Sequence, residues 1–388
     1  MTDTRSTPIR STPAQALRAA AATLGDADDL ETVAGRPGVG VLALPDEAVR
    51  LRVAPPWVDR HQLERVHRLL AQPAMAEAGV TPRPRGLISI LEAEGSLVEV
   101  TSWADGRDWT NGRVALLAGS AMHRPLPVPS GGLPLLARTL ATAHAVSQAS
   151  AEETLLPFTL REFARQQRDV WTRQRSRIVD SRAREVHLGR WLKASEKVAA
   201  GASAILDAAG YLEGLPVVAL NRQLWPAHVV GDRQKLTLVD WTRAVAGPPI
   251  LDIAQIVTRF NGWDTTIVEE TLESYAEVRQ LTANERRLLP VICCLDLIVE
   301  TGRLLEIAYA RRDVRPESDV AESARSGATA SLYSLEALGW AVRPGAESVK
   351  PRPGSSPRRP STPRGPTTPR GPGLGPTPRR RGTRRPKQ

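Results

Sequence analysis

Only two cysteines occur in the 388 residues, Cys293 and Cys294, and they are adjacent. Neighbouring residues on a helix point in different directions, so the chain has no disulfide framework. The pair reads as buried thiols in a reducing compartment. No stretch is apolar over the roughly 20 residues that a bilayer-spanning helix needs. The longest apolar run, from Leu288 to Val299, carries Asp296, and the opening MTDTRSTPIRSTPAQ has no apolar signal-peptide core. These features lead us to expect a cytoplasmic protein with no transmembrane segment. Phenylalanine and tyrosine are scarce, 3 and 4 residues, against 9 tryptophans.

Hydrophobic residues make up 41% and charged residues 24%, ordinary for a folded globular chain, which excludes collagen and wholesale disorder. The net charge of +10 is not spread evenly. From Gly345 to Gln388 there are 12 Lys and Arg against one acid, Glu347, so the residues before Gly345 carry a net charge of −1. The basicity belongs to the tail and says nothing about a ligand of the body.

The spacing predicts an N-terminal extension with one packing helix over residues 1–28, started by Thr12 as N-cap and Pro13 as first helical residue. From about residue 29 to 105 the texture is strand-like: VGVLAL, a turn, AVRLRV, a helix from Asp59 to Leu70, then GLISIL and SLVEVTSW. This describes a small antiparallel sheet carrying one helix. Residues 106–340 are mainly helical, interrupted by a short β island of PVVAL, HVV and KLTLVDW. A capping box, Thr282 to Glu285, opens the helix with the two cysteines. Residues 341–388 turn to Pro, Gly, Arg, Ser and Thr, with TPRGP at Thr362 and again at Thr368. Such a composition cannot bury enough apolar surface to fold, and a disordered basic tail is expected.

Several strings could carry chemistry. Gly35, Gly38 and Gly40 lie between two strands, where glycines let backbone amides approach phosphates, although turns use glycine for the same freedom. Arg52 sits in AVRLRV and Glu64 in QLERVHRLLAQ. The segment SLVEVTSWADG contains Val100 and ends at Asp105-Gly106. The longest informative string is LNRQLWPAHVVGDRQKLTLVDWTRAVAGPPILDIA, from Leu220 to Ala254.

In order of elements and in these strings, about Asp29 to Leu338 resembles the aminoglycoside phosphotransferase and choline kinase group. The resemblance implies an α+β, bilobal protein-kinase-like fold, with a small antiparallel-sheet N-lobe bearing one helix and a larger helical C-lobe. It also implies ATP and Mg²⁺ as cofactors. The glycines would then lie over phosphates, Arg52 would stand in for the phosphate-orienting lysine, and Glu64 would be its acidic partner. The backbone near Val100 would meet the adenine edge. Asp240 would bind the metal, and Asp252 would be a structural residue bonded to the catalytic-loop backbone.

The resemblance fails at its chemical positions. Asn221-Arg222-Gln223 stands where the family has His-Gly-Asp, and His228 stands in place of the metal-binding asparagine. A carboxamide has no basic form near neutral pH, so Gln223 cannot accept a substrate proton. Imidazole nitrogen suits zinc or nickel better than Mg²⁺. The sequence therefore leaves two readings: a degenerate pseudokinase that binds a nucleotide or ligand or acts as a scaffold for an unidentified small molecule or protein, and an active ATP-dependent kinase of a small-molecule hydroxyl that uses atypical residues. A third reading concerns the tail, whose residues 350–388 would contact nucleic acid or an anionic surface weakly and with strong salt dependence. His144 reads as a core histidine with a satisfied hydrogen bond. Trp103, Trp109, Trp225 and Trp241 gather near the expected cleft.

Overall fold

The computed structural model describes residues 12–33, 38–104, 107–108, 132–181, 185–209, 215–260, 265–311, 314–315, 318–339 and 341–342. Gly35, Asp105-Gly106, Trp109 and all but two residues of the basic tail fall outside these.

The first helix, α1 (Pro13–Leu24), begins as its sequence dictates. The Thr12 hydroxyl accepts from the Gln15 amide at 3.3 Å, and the Gln15 side chain accepts from the Thr12 amide at 2.7 Å. Five strands follow: β1 (Leu30–Thr32), β2 (Val39–Ala43), β3 (Ala48–Val53), β4 (Ile90–Ala93) and β5 (Ser96–Ser102). They form one antiparallel sheet in the order β1-β2-β3-β5-β4. Between β3 and β4 come α2 (Arg60–Leu70) and the short α3 (Pro73–Ala78).

Strand alternation sorts the sheet into two faces. Val49 and Leu51 of β3 and Val98 and Val100 of β5 are buried with Ala16, Leu17, Ala20 and Ala21 of α1. Full burial of a leucine such as Leu17 contributes about 1.5–3 kcal/mol, so α1 is an integral cover of the sheet. The opposite face carries Arg50, Arg52 and Glu99. It looks toward α2, whose buried stripe is Leu63, Val66, His67 and Leu70.

The rest is mainly helical: α4 (Gly132–Ser147), α5 (Ala151–Thr154), α6 (Leu160–Asp180), α7 (Val186–Ala209), α8 (Ile250–Phe260), α9 (Thr265–Ala276), α10 (Ala283–Tyr309) and α11 (Asp319–Leu338). Helix α10 packs against α6, α7, α8 and α11, and both cysteines are fully buried in it as free thiols. Its start is the Thr282 to Glu285 capping box. The β island contains β7 (Val218–Leu220), β8 (Val229–Gly231), β9 (Leu236–Leu238) and β10 (Val245–Gly247), preceded by β6 (Arg107–Asp108). Strands β8 and β9 form the expected hairpin, joined by β6, and β7 pairs with β10. An antiparallel-sheet N-terminal region followed by a helical region is the α+β organisation that the sequence predicts. Among the described residues no helix is long and apolar enough to cross a membrane.

Candidate active site

The β island brings Asn221, Gln223, His228 and Asp240 to one point, opposite the polar face of the sheet. Asp252, at the start of α8, fixes the loop that begins there. It is fully buried and accepts the backbone amides of Asn221 at 2.6 Å and Arg222 at 3.0 Å. This is the contact that the resemblance implies for Asp252. The buried Asn221 side chain donates to the Asp240 carbonyl at 3.2 Å, tying the two loops together. Arg222 and Asp240 both hold left-handed backbone conformations, with φ of 63° and 66°, which the surrounding bonds must stabilise.

Behind Asp252 runs a buried polar chain. His144 places Nε2 3.5 Å from Asp252 Oδ2 and Nδ1 2.7 Å from the Tyr275 hydroxyl. A proton on Nε2 lets Tyr275 donate to Nδ1 and leaves the ring neutral. Burial lowers the His144 pKa, against the raising effect of Asp252. His144 is a core histidine, as its sequence setting suggests.

Asp240 is the centre of the site. Its Oδ1 lies 2.6 Å from Arg52 Nη1, 2.8 Å from the donating Thr242 hydroxyl and 3.4 Å from Gln223 Nε2. Its Oδ2 accepts from Arg52 Nη2 at 2.8 Å and lies 3.2 Å from His228 Nε2. Burial alone would raise this carboxyl; Arg52, His228, Arg50 and the Thr242 hydroxyl together hold it well below the usual range. The other nitrogen of His228, Nδ1, faces the Gln223 carbonyl at 2.6 Å. Both ring nitrogens therefore face oxygen acceptors, a pattern that a doubly protonated imidazolium satisfies.

Arg52 reaches further. Its Nη1 also donates to Glu99 at 3.1 Å and to Thr242 Oγ1 at 3.2 Å. Glu99 in turn lies 3.2 Å from His67 Nε2. Burial would raise Glu99, but the His67 hydrogen bond and the Arg52 charge lower it. Helix α2 is thus linked to Arg52 through His67 and Glu99, where Glu64 was expected to make the link. Glu64 is partly exposed and lies 3.4 Å from His61 on its own helix. The inward stripe of α2 places His67 against the sheet and leaves Glu64 at the margin, less than one turn away.

Two further expectations change. The Val100 amide donates to the Ser89 carbonyl at 2.8 Å, and its carbonyl accepts from Arg85 at 3.1 Å, while its side chain is buried under α1. Val100 is mid-strand and offers no unbonded N–H to a purine. Gly38 is a left-handed turn residue, φ 83°, whose carbonyl accepts the Val53 amide at 2.7 Å. Gly40 is inside the ladder, opposite Thr32 and Leu51, where a Cβ would stand 2.8 Å from Leu30 Cδ1. These two glycines serve a turn and sheet packing; residues 34–37 of the same connection lie outside the described residues.

The donor set around Asp240 does not fit Mg²⁺. A carboxylate has about four lone-pair positions, and four protein donors, Arg52 Nη2, the Thr242 hydroxyl, Gln223 Nε2 and His228 Nε2, already converge on this one, with Arg52 Nη1 in contact beside them. The neighbouring imidazole supplies N–H groups where a hard dication needs oxygen ligands. Among the described residues no group of three or more His, Cys, Asp and Glu side chains could hold a metal ion.

The phosphotransferase enzyme family matches residues 42–290 of the chain. Solved structures repeat the architecture. An aminoglycoside phosphotransferase from Alicyclobacillus acidocaldarius subsp. acidocaldarius is 14% identical, covers 80% of this chain and 90% of that chain, and has a TM-score of 0.54. A choline/ethanolamine kinase family protein from Mesorhizobium loti is 16% identical, covers 81% and 92%, and has a TM-score of 0.51. A spectinomycin phosphotransferase solved with ADP and spectinomycin is 11% identical, covers 80% and 92%, and has a TM-score of 0.50. No curated protein matches the chain. With more than half of its length matched and a protein-kinase-like arrangement of sheet and helices, the chain belongs to the phosphotransferase enzyme family.

Proposed function

We propose that this family member is catalytically degenerate, a cytoplasmic pseudokinase that binds a nucleotide or other ligand, or acts as a scaffold, without metal-dependent phosphoryl transfer. The observation that carries the reading is the state of Asp240: Arg52, His228, Gln223 and Thr242 occupy both of its oxygens. Two cationic groups stand where a metal would supply positive charge. Gln223, at the position of the general base, acts as a hydrogen-bond donor to Thr242 and Asp240. Loss of a general base alone costs about 10²- to 10⁴-fold in rate. Here the loss coincides with a blocked carboxylate.

ATP is the nucleotide that the family and the ADP-bound spectinomycin phosphotransferase suggest. Arg52 is the cation best placed to meet its phosphates. In this reading ATP enters without a metal on Asp240. The test restores the family's residues. Gln223→Asp with His228→Asn provides a carboxylate base and an oxygen ligand, and Mg²⁺-dependent ATP hydrolysis by this double variant but not by the parent supports the proposal. Mg²⁺-dependent transfer by the parent, lost on either substitution, refutes it.

A further inference from the structure

Beside the Asp240 cluster lies a cavity of about 460 Å³ whose walls include Trp57, Phe158, Gln166, Arg222, Thr242 and Arg243. Thr242 belongs to both places, since its hydroxyl donates to Asp240. The cavity wall is cationic and aromatic. The Arg243 guanidinium lies 4.2 Å from the centroid of Trp57, and Arg222 lies 4.2 Å from Phe158 and 5.4 Å from Phe163.

Among the described residues neither arginine touches a carboxylate at ion-pair distance; Asp252 and Asp296 act on Arg222, and Asp240 on Arg243, from farther away. Arg222 donates from Nη2 to Gln166 Oε1 at 3.0 Å, while its Nη1 is buried with no hydrogen-bond partner. Burial desolvates this guanidinium and lowers its pKa to about 10, with Asp252 and Asp296 opposing the shift from beyond ion-pair distance. Arg243 is exposed at the rim, next to the exposed ring of Trp57. The carboxylate in the same wall, Asp59, accepts the Gln62 amide at 2.7 Å and serves as the N-cap of α2. Asp240, the nearest buried carboxylate of the cluster, is enclosed by its own donors.

We infer that this cavity binds an organic oxyanion, a carboxylate or phosphate on a flat apolar body, with Arg222 and Arg243 on the anion and the Trp57 and Phe158 rings along the body. The planar guanidinium fork matches both oxyanions. Choline, ethanolamine and aminoglycosides, after which the similar structures are named, are cations, so the charge preference here is reversed. The inference rests on the reading of the cleft beside Asp240 as a ligand site.

The test uses the full chain and three probes that share one ring: phenyl phosphate, benzoate and benzylamine, each titrated by calorimetry without ATP. At least one oxyanion binds about tenfold or more tightly than benzylamine, as one or two charge-assisted hydrogen bonds require. Arg243→Gln, at an exposed position that does not hold the fold, weakens that binding by about tenfold. Arg222→Gln removes it. Preference for phenyl phosphate or for benzoate then identifies the anion, and either preference supports the class. The inference is overturned if benzylamine binds as tightly as both oxyanions, if neither oxyanion binds the folded chain, or if Arg243→Gln and Trp57→Ala both leave oxyanion affinity unchanged. No arm involves phosphoryl transfer. Kinase activity in the parent would therefore refute catalytic degeneracy without touching this result, and failure of oxyanion binding would leave the degenerate reading in place.

Discussion

Arg52 and Asp240 lie 188 positions apart and meet as a fork on a carboxylate, with Nη1 2.6 Å from Oδ1 and Nη2 2.8 Å from Oδ2. Both side chains are almost wholly buried, and Arg52 also holds Glu99. One guanidinium therefore joins β3 to β5 and the sheet to the helical region. Arginine suits this role because its planar fork can address two carboxylates at once, whereas an ammonium is a single point of charge.

Arg52→Ala leaves two buried carboxylates without their main counter-charge, and removal of one partner of a buried pair costs about 3–5 kcal/mol. Arg52→Lys keeps the charge but loses part of the fork, with a smaller loss of about 1.5–3 kcal/mol. Urea unfolding of the three proteins at neutral pH checks the order. A lysine variant as stable as the parent would contradict the fork.

Stability should depend on acid in two stages. The buried His144 has a lowered pKa, so below its ordinary 6.5 the unfolded chain takes up a proton that the folded chain refuses. Its contribution is intact above that value and declines as pH falls beneath it. Asp240 and Glu99 are also lowered, from 3.8 and 4.5, and their contributions survive until pH falls below those values and through the native ones. On the acid side the melting temperature is expected to fall first as the His144 contribution is lost below 6.5 and then again as those of Asp240 and Glu99 are lost. His144→Gln should remove the upper step alone.

Asp252→Asn replaces a charged acceptor of two backbone amides with a carboxamide that has one acceptor oxygen. The cost is about 1.5–3 kcal/mol. Hydrogen exchange should locate the damage, with the Asn221 and Arg222 amides exchanging faster while the β1 to β5 sheet is unchanged.

This clamp was legible only through the family resemblance, which implies that Asp252 bonds the backbone of the loop. The β8-β9 hairpin, the N-cap at Thr12 and the capping box at Thr282 were legible because their signals are local. Glu99, His67 and Thr242 were not read as partners of Arg52, since their meeting depends on sheet register and on the rotation of α2. One signal was available. The alternation in AVRLRV places Arg50 and Arg52 on the face opposite Val49 and Leu51, so a basic face had to be met by acids from elsewhere. Glu64 and His67 are three residues apart on α2, and periodicity alone cannot say which of them turns inward.

The two described glycines of the β1-β2 region make a separate prediction. Gly40→Ala puts a methyl against Leu30, and overpacking of this kind costs about 1–3 kcal/mol. Gly38→Ala forces a left-handed conformation, with a cost of about 1 kcal/mol or more. Both should lower stability in chemical denaturation while leaving the ATP affinity of the folded protein unchanged. A selective loss of ATP binding at full stability would return them to a phosphate site.

In the proposed function, protein donors close Asp240 to metal. Calorimetry of the full chain with ATP, once with Mg²⁺ and once with a chelator, tests that most directly. The predicted result is the same binding isotherm under both conditions. A rise in affinity of about tenfold or more on addition of Mg²⁺ would contradict it, because Asp240 would then be exchanging Arg52 and His228 for the metal.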